Sequence, residues 1–469
     1  MRKITLSLLS IYLSALVAFA QSYKDSTSYK PTKLSLDEVN FVSGYYLQNG
    51  NNSAVTGGIG TEKLTNFSSI IDLKISKKSS LNNTHSFGFE IGFDAYSSAS
   101  SDMIDGYRGG DVKSENEAED YVPGKIASTL KSSTLSKASS GGSAVQQTGA
   151  STAIYSRASY NDVHVYPSLS YSFKNEQKRY LLGASTSYSR EYDYESLGAA
   201  LSFTKLSKDN NREFSVKLSG FFDTWKVIIP KELRDNTDYK AELGYSYKGV
   251  IGYKGIVPYG SGAEKDPNPV KHDPRNSFMA SFSLSQVVNT RLQLALLLDL
   301  AFQKGLLATS YQRVWFSDNS LWYEHLPDNR FKVPVGIRAN YFAGDRYIFK
   351  TFYRYYWDSW GINSNTFELE MPIKITPFFS FAPFGRYYQQ SAAKYFAPYK
   401  VHTVADEFYT SDYDLSKFNS QSAGINFRYV SADGILGIRY FNSLEVRYGY
   451  YHRSNGLNSN TISVALKFK

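Results

Sequence analysis

The chain has 469 residues, no cysteine, 39 Tyr, 30 Phe and 5 Trp, and a formal net charge of +9. The lack of cysteine excludes a disulfide scaffold, a thiolate zinc site and a thiol nucleophile. An aromatic content of 16% excludes a mainly disordered chain, and no nucleic-acid motif accompanies the positive charge.

The N-terminus reads as a secretory leader. Arg2 and Lys3 precede an apolar stretch from Ile4 to Ala18, and Ala18-Phe19-Ala20 makes a small-x-small cleavage pattern before Gln21. Removing residues 1–20 leaves fifty basic against forty-three acidic residues, a balance of +7 suited to anionic lipid headgroups. Residues 21–38 then form a short periplasmic segment, and 39–469 form one domain. No later run approaches the roughly 20 apolar residues of a membrane helix. The most concentrated one, Leu292 to Phe302, is broken by Gln293 and Asp299.

What that stretch shows instead is strict alternation. Leu292, Leu294, Leu296, Leu298, Leu300 and Phe302 fall on one parity, with Arg291, Gln293, Ala295, Leu297, Asp299 and Gln303 on the other. Successive strand side chains point to opposite faces, so this is a strand with one apolar and one mainly polar face. The pattern recurs and gives about sixteen strands: 39–49, 66–77, 84–98, 157–173, 178–192, 197–208, 212–226, 275–288, 291–304, 330–344, 346–360, 362–375, 377–391, 419–432, 434–452 and 457–469. Of these, 377–391 alternates poorly. Many match the roughly 9–11 tilted residues that cross a bilayer.

The connections sort by length. Alternate ones are short polar turns, at Lys78–Asn83, Lys174–Gln177, Asp209–Asn211, Asn289–Thr290, Gly344–Asp345, Thr376 and Asp433. The others include every long segment: 50–65, 99–156, 227–274, 305–329 and 392–418. Outer-membrane barrels have short periplasmic turns and longer external loops. The expected fold is therefore all-β: a transmembrane antiparallel up-and-down barrel in the outer membrane of a Gram-negative bacterium. Tyr353, Tyr355, Trp357 and Trp360, and Tyr448, Tyr450 and Tyr451, are expected at the lipid headgroup level.

A barrel of this size holds an aqueous channel, and its polar parity faces the lumen. The lumen candidates are Asp299, Arg338, Arg354, Glu368, Glu370, Arg428, Arg439, Glu445 and Arg447. Glu90, Asp94, Lys217, Arg291, Lys332 and Lys350 share the polar parity. Charge rings on a pore wall can select ions, although both signs occur here. Segment 99–156 carries an Asp/Ser cluster without EF-hand spacing and reads as a solvated external loop. The Gly-rich segment 53–64 is no phosphate-binding loop and reads as a flexible external one. The six histidines show no metal-ligand spacing. No catalytic, metal or cofactor site is assigned.

Several stretches also carry a resemblance. Leu36-Asp37-Glu38-Val39-Asn40, the segment from Gly50 to Glu62, residues 97–105 and Leu444-Glu445-Val446-Arg447-Tyr448-Gly449-Tyr450-Tyr451 resemble a family of predicted outer-membrane proteins from Bacteroidota-type bacteria. That family is catalogued as a domain of unknown function. Its members are often encoded beside a thioredoxin-like protein, a small lipoprotein and a flavin-transferring enzyme. The resemblance implies a link to envelope redox or flavin traffic and transfers no functional residue. The leading expectation is a porin-like channel or transport component for small solutes. Next comes a binding or scaffold barrel for a periplasmic or lipoprotein partner. Last comes an outer-membrane enzyme with a site at the rim, a reading that His325 or His402 beside a Ser or Asp in a cleft would raise.

Overall fold

The computed structural model describes residues 34–79, 83–98, 161–191, 194–227 and 271–468. Their strands are β1 (Ser35–Asn49), β2 (Leu64–Lys78), β3 (Asn83–Ser98), β4 (Asn161–Asn175), β5 (Tyr180–Arg190), β6 (Tyr194–Leu206), β7 (Arg212–Val227), β8 (Lys271–Asn289) and β9 (Leu292–Gly305). A short hairpin, β10 (Arg313–Trp315) and β11 (Leu321–Tyr323), sits in the next connection. Then follow β12 (Asn329–Ala343), β13 (Tyr347–Asp358), β14 (Asn363–Glu370), β15 (Ile373–Lys374), β16 (Phe379–Gln390), β17 (Phe418–Val430), β18 (Phe441–Arg453) and β19 (Asn458–Phe468).

Every long strand pairs antiparallel with its chain neighbours, β9 pairs with β12 across the hairpin, and β1 pairs with both β2 and β19. The sheet is therefore a closed cylinder with no edge, which satisfies every ladder group internally. β14 and β15 share the neighbours β13 and β16 and form one stave, interrupted at Met371-Pro372, where proline has no N–H to give the ladder. The staves number sixteen.

The alternation in the sequence becomes the two faces of the wall. Leu296 pairs with Ile337 in register and both are exposed outward, while the adjacent Leu297 pairs with Gly336 on the inner face. Leu201, Leu218, Phe278 and Phe367 stand exposed on the same outer surface. An apolar belt this continuous is stable against lipid, not water. Tyr353, Tyr355, Trp357, Tyr448 and Tyr450 lie on the belt. Trp360 does not: it is 3% exposed, packed with Ala308 and Leu326 and lying under the Arg330 guanidinium at 4.3 Å. It falls past the end of β13, in the connection, where parity no longer governs direction. Tyr451 has the opposite parity to Tyr450 and faces inward.

Strand bounds shift by a few residues along the chain, and three of the differences bear on the wall. β1 starts at Ser35, so 35–38 join the ladder. Stave 362–375 is broken. The expected strand 434–452 begins only at Phe441, because Gly434, Leu436 and Gly437 adopt positive φ and turn 431–440 runs for ten residues where a turn at Asp433 was expected. Regular pairing of β16 with β17, Pro383 included, explains why 377–391 alternates poorly: its inner face carries Phe384 and Tyr388 opposite outer Phe381 and Tyr387. Residues 157–160 and 192 lie outside the described residues.

Candidate functional site: the lumen and its mouth

One end of the cylinder carries only turns, and the described long connections 50–63, 306–328 and 391–417 all lie at the other, together with the short connections 359–362 and 454–457. The inner face differs between these two ends. At the turn end its charged side chains stand in open space: Arg428 is 54% exposed, Lys350 47%, Arg447 38% and Glu445 37%. At the loop end the inward side chains are buried: Asp358 0%, Thr366 1%, Arg453 4%.

The register places Asp299, Arg338, Arg354, Glu368, Glu370, Arg428, Glu445 and Arg447 on the face opposite the apolar belt. Arg439 is not among them. It lies in the exposed turn 431–440, because the strand it was assigned to starts two residues later. Most inner charges pair across neighbouring staves, and Arg447 on β18 reaches past β17 and β16 to Glu370 on β14. Glu370 Oε1 accepts from Lys350 Nζ at 3.0 Å and its Oε2 from Arg447 Nη1 at 3.1 Å. Arg386 Nε lies 3.3 Å from Glu368 Oε1, and Asn426 Nδ2 donates to Glu445 Oε1 at 2.8 Å. Arg447 also stacks on Phe384 at 3.8 Å. The wall from β4 to β8 is different: its inward positions carry small hydroxyls such as Ser168, Ser170, Ser185, Ser187, Ser202 and Ser283.

At the loop end three of the described connections fold inward. Gln48, Gln390 and Arg453 face the lumen at the ends of β1, β16 and β18. They bind Glu62 O, Asp414 O together with Ser416 O, and Asp414 Oδ1 respectively, the last at 2.7 Å. Segments 50–63 and 391–417 are thus held on the lumen side of the rim. Segment 306–328 joins them: Arg313 Nη1 donates to Val55 O at 2.8 Å, and Val314, Phe316, Trp322 and Tyr409 form a buried apolar cluster between segments 306–328 and 391–417. Segment 306–328 is tied in turn to the wall where Trp360 packs on Ala308 and Leu326, and beside that contact Asp358 accepts from Arg330 Nε on β12 at 3.0 Å and from Ile362 N.

The Gly-rich segment is therefore not the flexible loop its composition suggests. Ser53, Ala54 and Val55 are at most 3% exposed. Gly57 and Gly58 sit at φ +88° and +85°, and a Cβ there would meet Trp315 Cδ1 at 2.6 Å and Ser411 O at 2.9 Å. Its glycines serve close docking, not mobility. Beside it, Glu62 is 2% exposed with Oε2 lacking a hydrogen-bond partner, and burial, reinforced by the Asp414 charge and opposed by Arg453, pushes its carboxyl up to about 7.

The histidines named for a rim reaction are spent on the cap. His402 is buried, with Nδ1 3.1 Å from Asp406 Oδ2 and Nε2 2.9 Å from Thr410 O, so both ring nitrogens are engaged and neither faces a hydroxyl. His325 Nδ1 contacts Glu407 O at 2.7 Å. Among the described residues no group of three or more His, Asp or Glu is arranged to hold a metal. The Asp/Ser cluster of 99–156 lies outside the described residues.

Residues 7–467 match the family described as Protein of unknown function (DUF3570). The chain belongs to that family. No curated protein matches it. Among solved structures it is similar to the Pseudomonas aeruginosa outer-membrane protein OpdK with vanillate (9% identity, TM-score 0.36, covering 92% of this chain and 97% of that one). It is also similar to the TodX deltaS2S3 mutant monoaromatic hydrocarbon channel (6%, 0.40, 94% and 90%) and to a BenF-like porin from Pseudomonas fluorescens Pf-5 (9%, 0.38, 92% and 98%). The barrel itself rests on the closed strand pairing, not on these likenesses.

Proposed function

We propose that this DUF3570 member is a porin-like outer-membrane channel for small solutes, wide and wet at its turn end and narrowed at its mouth by inward-folded loops. The observation that carries the reading is the exposure of Lys350, Arg428, Glu445 and Arg447 inside a cylinder whose outside is apolar. Charged groups stay ionised there only in contact with water, so the inner half holds water while the outer face meets lipid. The signal-like N-terminus and the long loops at one end orient the turns toward the periplasm of a Gram-negative, Bacteroidota-type envelope. The reading assigns the chain no reaction. Purified, detergent-extracted protein should run faster on a gel before boiling than after, and should give discrete current steps in a planar bilayer. Faster migration without current would leave a barrel that conducts nothing.

A second reading, a barrel that docks a periplasmic or lipoprotein component, is favoured by one observation. Turn 431–440 presents Leu436, Tyr440 and Ile438 at 89%, 66% and 51% exposure on the end where such a component would meet it. Co-purification that is lost in Leu436→Ser/Tyr440→Ser while the bilayer current is kept would support this role beside conduction.

A further inference from the structure

Where the open half of the lumen meets the packed mouth, donors outnumber acceptors. Arg354 on β13 lies opposite Thr366 on β14, and Thr366 lies opposite Tyr388 on β16, making one inward row. On its other side Arg354 faces Gly336, so β12 supplies no side chain there. One step toward the turns, Glu368 lies opposite Arg386. Three of the acids around this row are already engaged, Glu370 by Lys350 and Arg447, Glu368 by Arg386, and Glu445 by Asn426 and Arg428, which leaves Asp299 on β9 as the remaining carboxylate. Arg354 has neither an ion pair nor a hydrogen bond among the described residues, and its Nε lacks a partner. Thr366 Oγ1 also lacks a hydrogen-bond partner, although Thr366 is only 1% exposed, and Arg386 Nε is held only by its ion pair with Glu368. Arg386, Tyr388, Glu368 and Asp299 stand close enough to act on Arg354 electrostatically, and Asp299 is held to it by neither an ion pair nor a hydrogen bond.

Buried polar groups are ordinarily partnered, so two orphans on directly opposed residues, Arg354 Nε and Thr366 Oγ1, need an explanation. A guanidinium has five donors and no acceptor, and it matches a carboxylate with two parallel bonds. Arg354 is only half-buried, so part of it remains open to the lumen. We propose that Arg354, with Arg386 and Thr366, forms a subsite for the carboxylate of a small organic anion crossing this lumen. The proposal rests on the channel reading and names its cargo class.

The test is a planar-bilayer recording of the full-length protein in a potassium chloride gradient, with sodium propionate added on the turn side. Wild-type protein should favour chloride over potassium, and propionate should reduce its current in a concentration-dependent way. In Arg354→Gln the propionate block should weaken at least tenfold. Arg354→Lys keeps the charge but not the fork; it should keep the chloride preference and lose much of the block. Unboiled gel migration confirms that each variant still forms a barrel, and if Arg354→Gln does not, the Lys variant decides. Current without any propionate block, or a block unchanged in both variants, overturns the subsite and leaves the channel standing. No current in the wild type overturns the channel, and the subsite with it.

Discussion

The two ends of the lumen wall use the same alternation for opposite purposes. Near the turns, Arg428 and Glu445 stand in solvent at 3.9 Å from one another, more than a third exposed each. Near the loops, Arg453 and Asp414 are in contact at 2.7 Å with the arginine 4% exposed, and Arg453 also stacks on Phe418 at 4.3 Å. The first kind of pair contributes about 0–1 kcal/mol because water screens it. Losing one member of the second kind costs about 3–5 kcal/mol, because a charge is left stranded without water. Inward-facing charge is therefore a solvated lining at one end and an anchor for folded loops at the other.

That contrast is most open to attack at Arg453. Replacing it with leucine removes the Arg453 ion pair from Asp414, which stands with Asp412 close to Glu62. Arg453→Leu should undock segment 391–417 by about 3–5 kcal/mol while the barrel survives. Limited proteolysis should then cut within 391–417, single-channel current should rise, and unboiled gel migration should not change. Unaltered cleavage and current would mean that the mouth is held elsewhere.

The next effect comes from Glu62, which faces Asp412 and Asp414 from segment 391–417, Tyr413 beside them and Arg453 from β18. Its carboxyl is held up to about 7 against an ordinary 4.5, so the docked loop keeps a proton that an undocked one releases. Docking is then strongest below about pH 4.5 and weakens as pH rises through about 7, by on the order of 3 kcal/mol in full. Protease cleavage of segment 50–63 should be slow at pH 5 and faster at pH 8. Glu62→Gln should flatten that dependence at the slow, acid-like rate. A pH profile that survives the substitution would place the titrating group elsewhere.

The barrel was legible because alternation is a local property. In β9, Leu296 and Leu297 are neighbours of identical chemistry, yet parity alone assigns one to lipid and the other to the lumen, and the register agrees. Leu296→Arg should cost about 2–4 kcal/mol of barrel stability in urea unfolding, while Leu297→Arg should cost far less. The cap was not legible because nothing periodic marks it. Segment 50–63 looks mobile by its glycines, but Trp315, Ser411 and Tyr413 come from segments more than 250 residues away to fill the space those glycines leave. Trp360 and Arg439 were misplaced for the same reason: parity holds only within a strand, and both lie beyond one. The orphaned Arg354 was visible as an inward arginine, but its lack of a partner depends on which acids the register hands to Lys350, Arg386 and Arg447.

The smallest stability effect is the most direct probe of the open half. Glu445→Gln removes one carboxylate from a pair that solvent already screens, and a glutamine can still accept from Asn426. Unfolding in urea should therefore move by less than about 1 kcal/mol. The electrical consequence is different, because a charge inside a wall with lipid behind it is felt along the lumen even when it adds little to folding. Removing it leaves Arg428 without a counter-charge, and the reversal potential in a salt gradient should shift toward anions. A large loss of stability would show that this end is packed like the mouth. No shift in reversal potential would show that ions do not pass this wall.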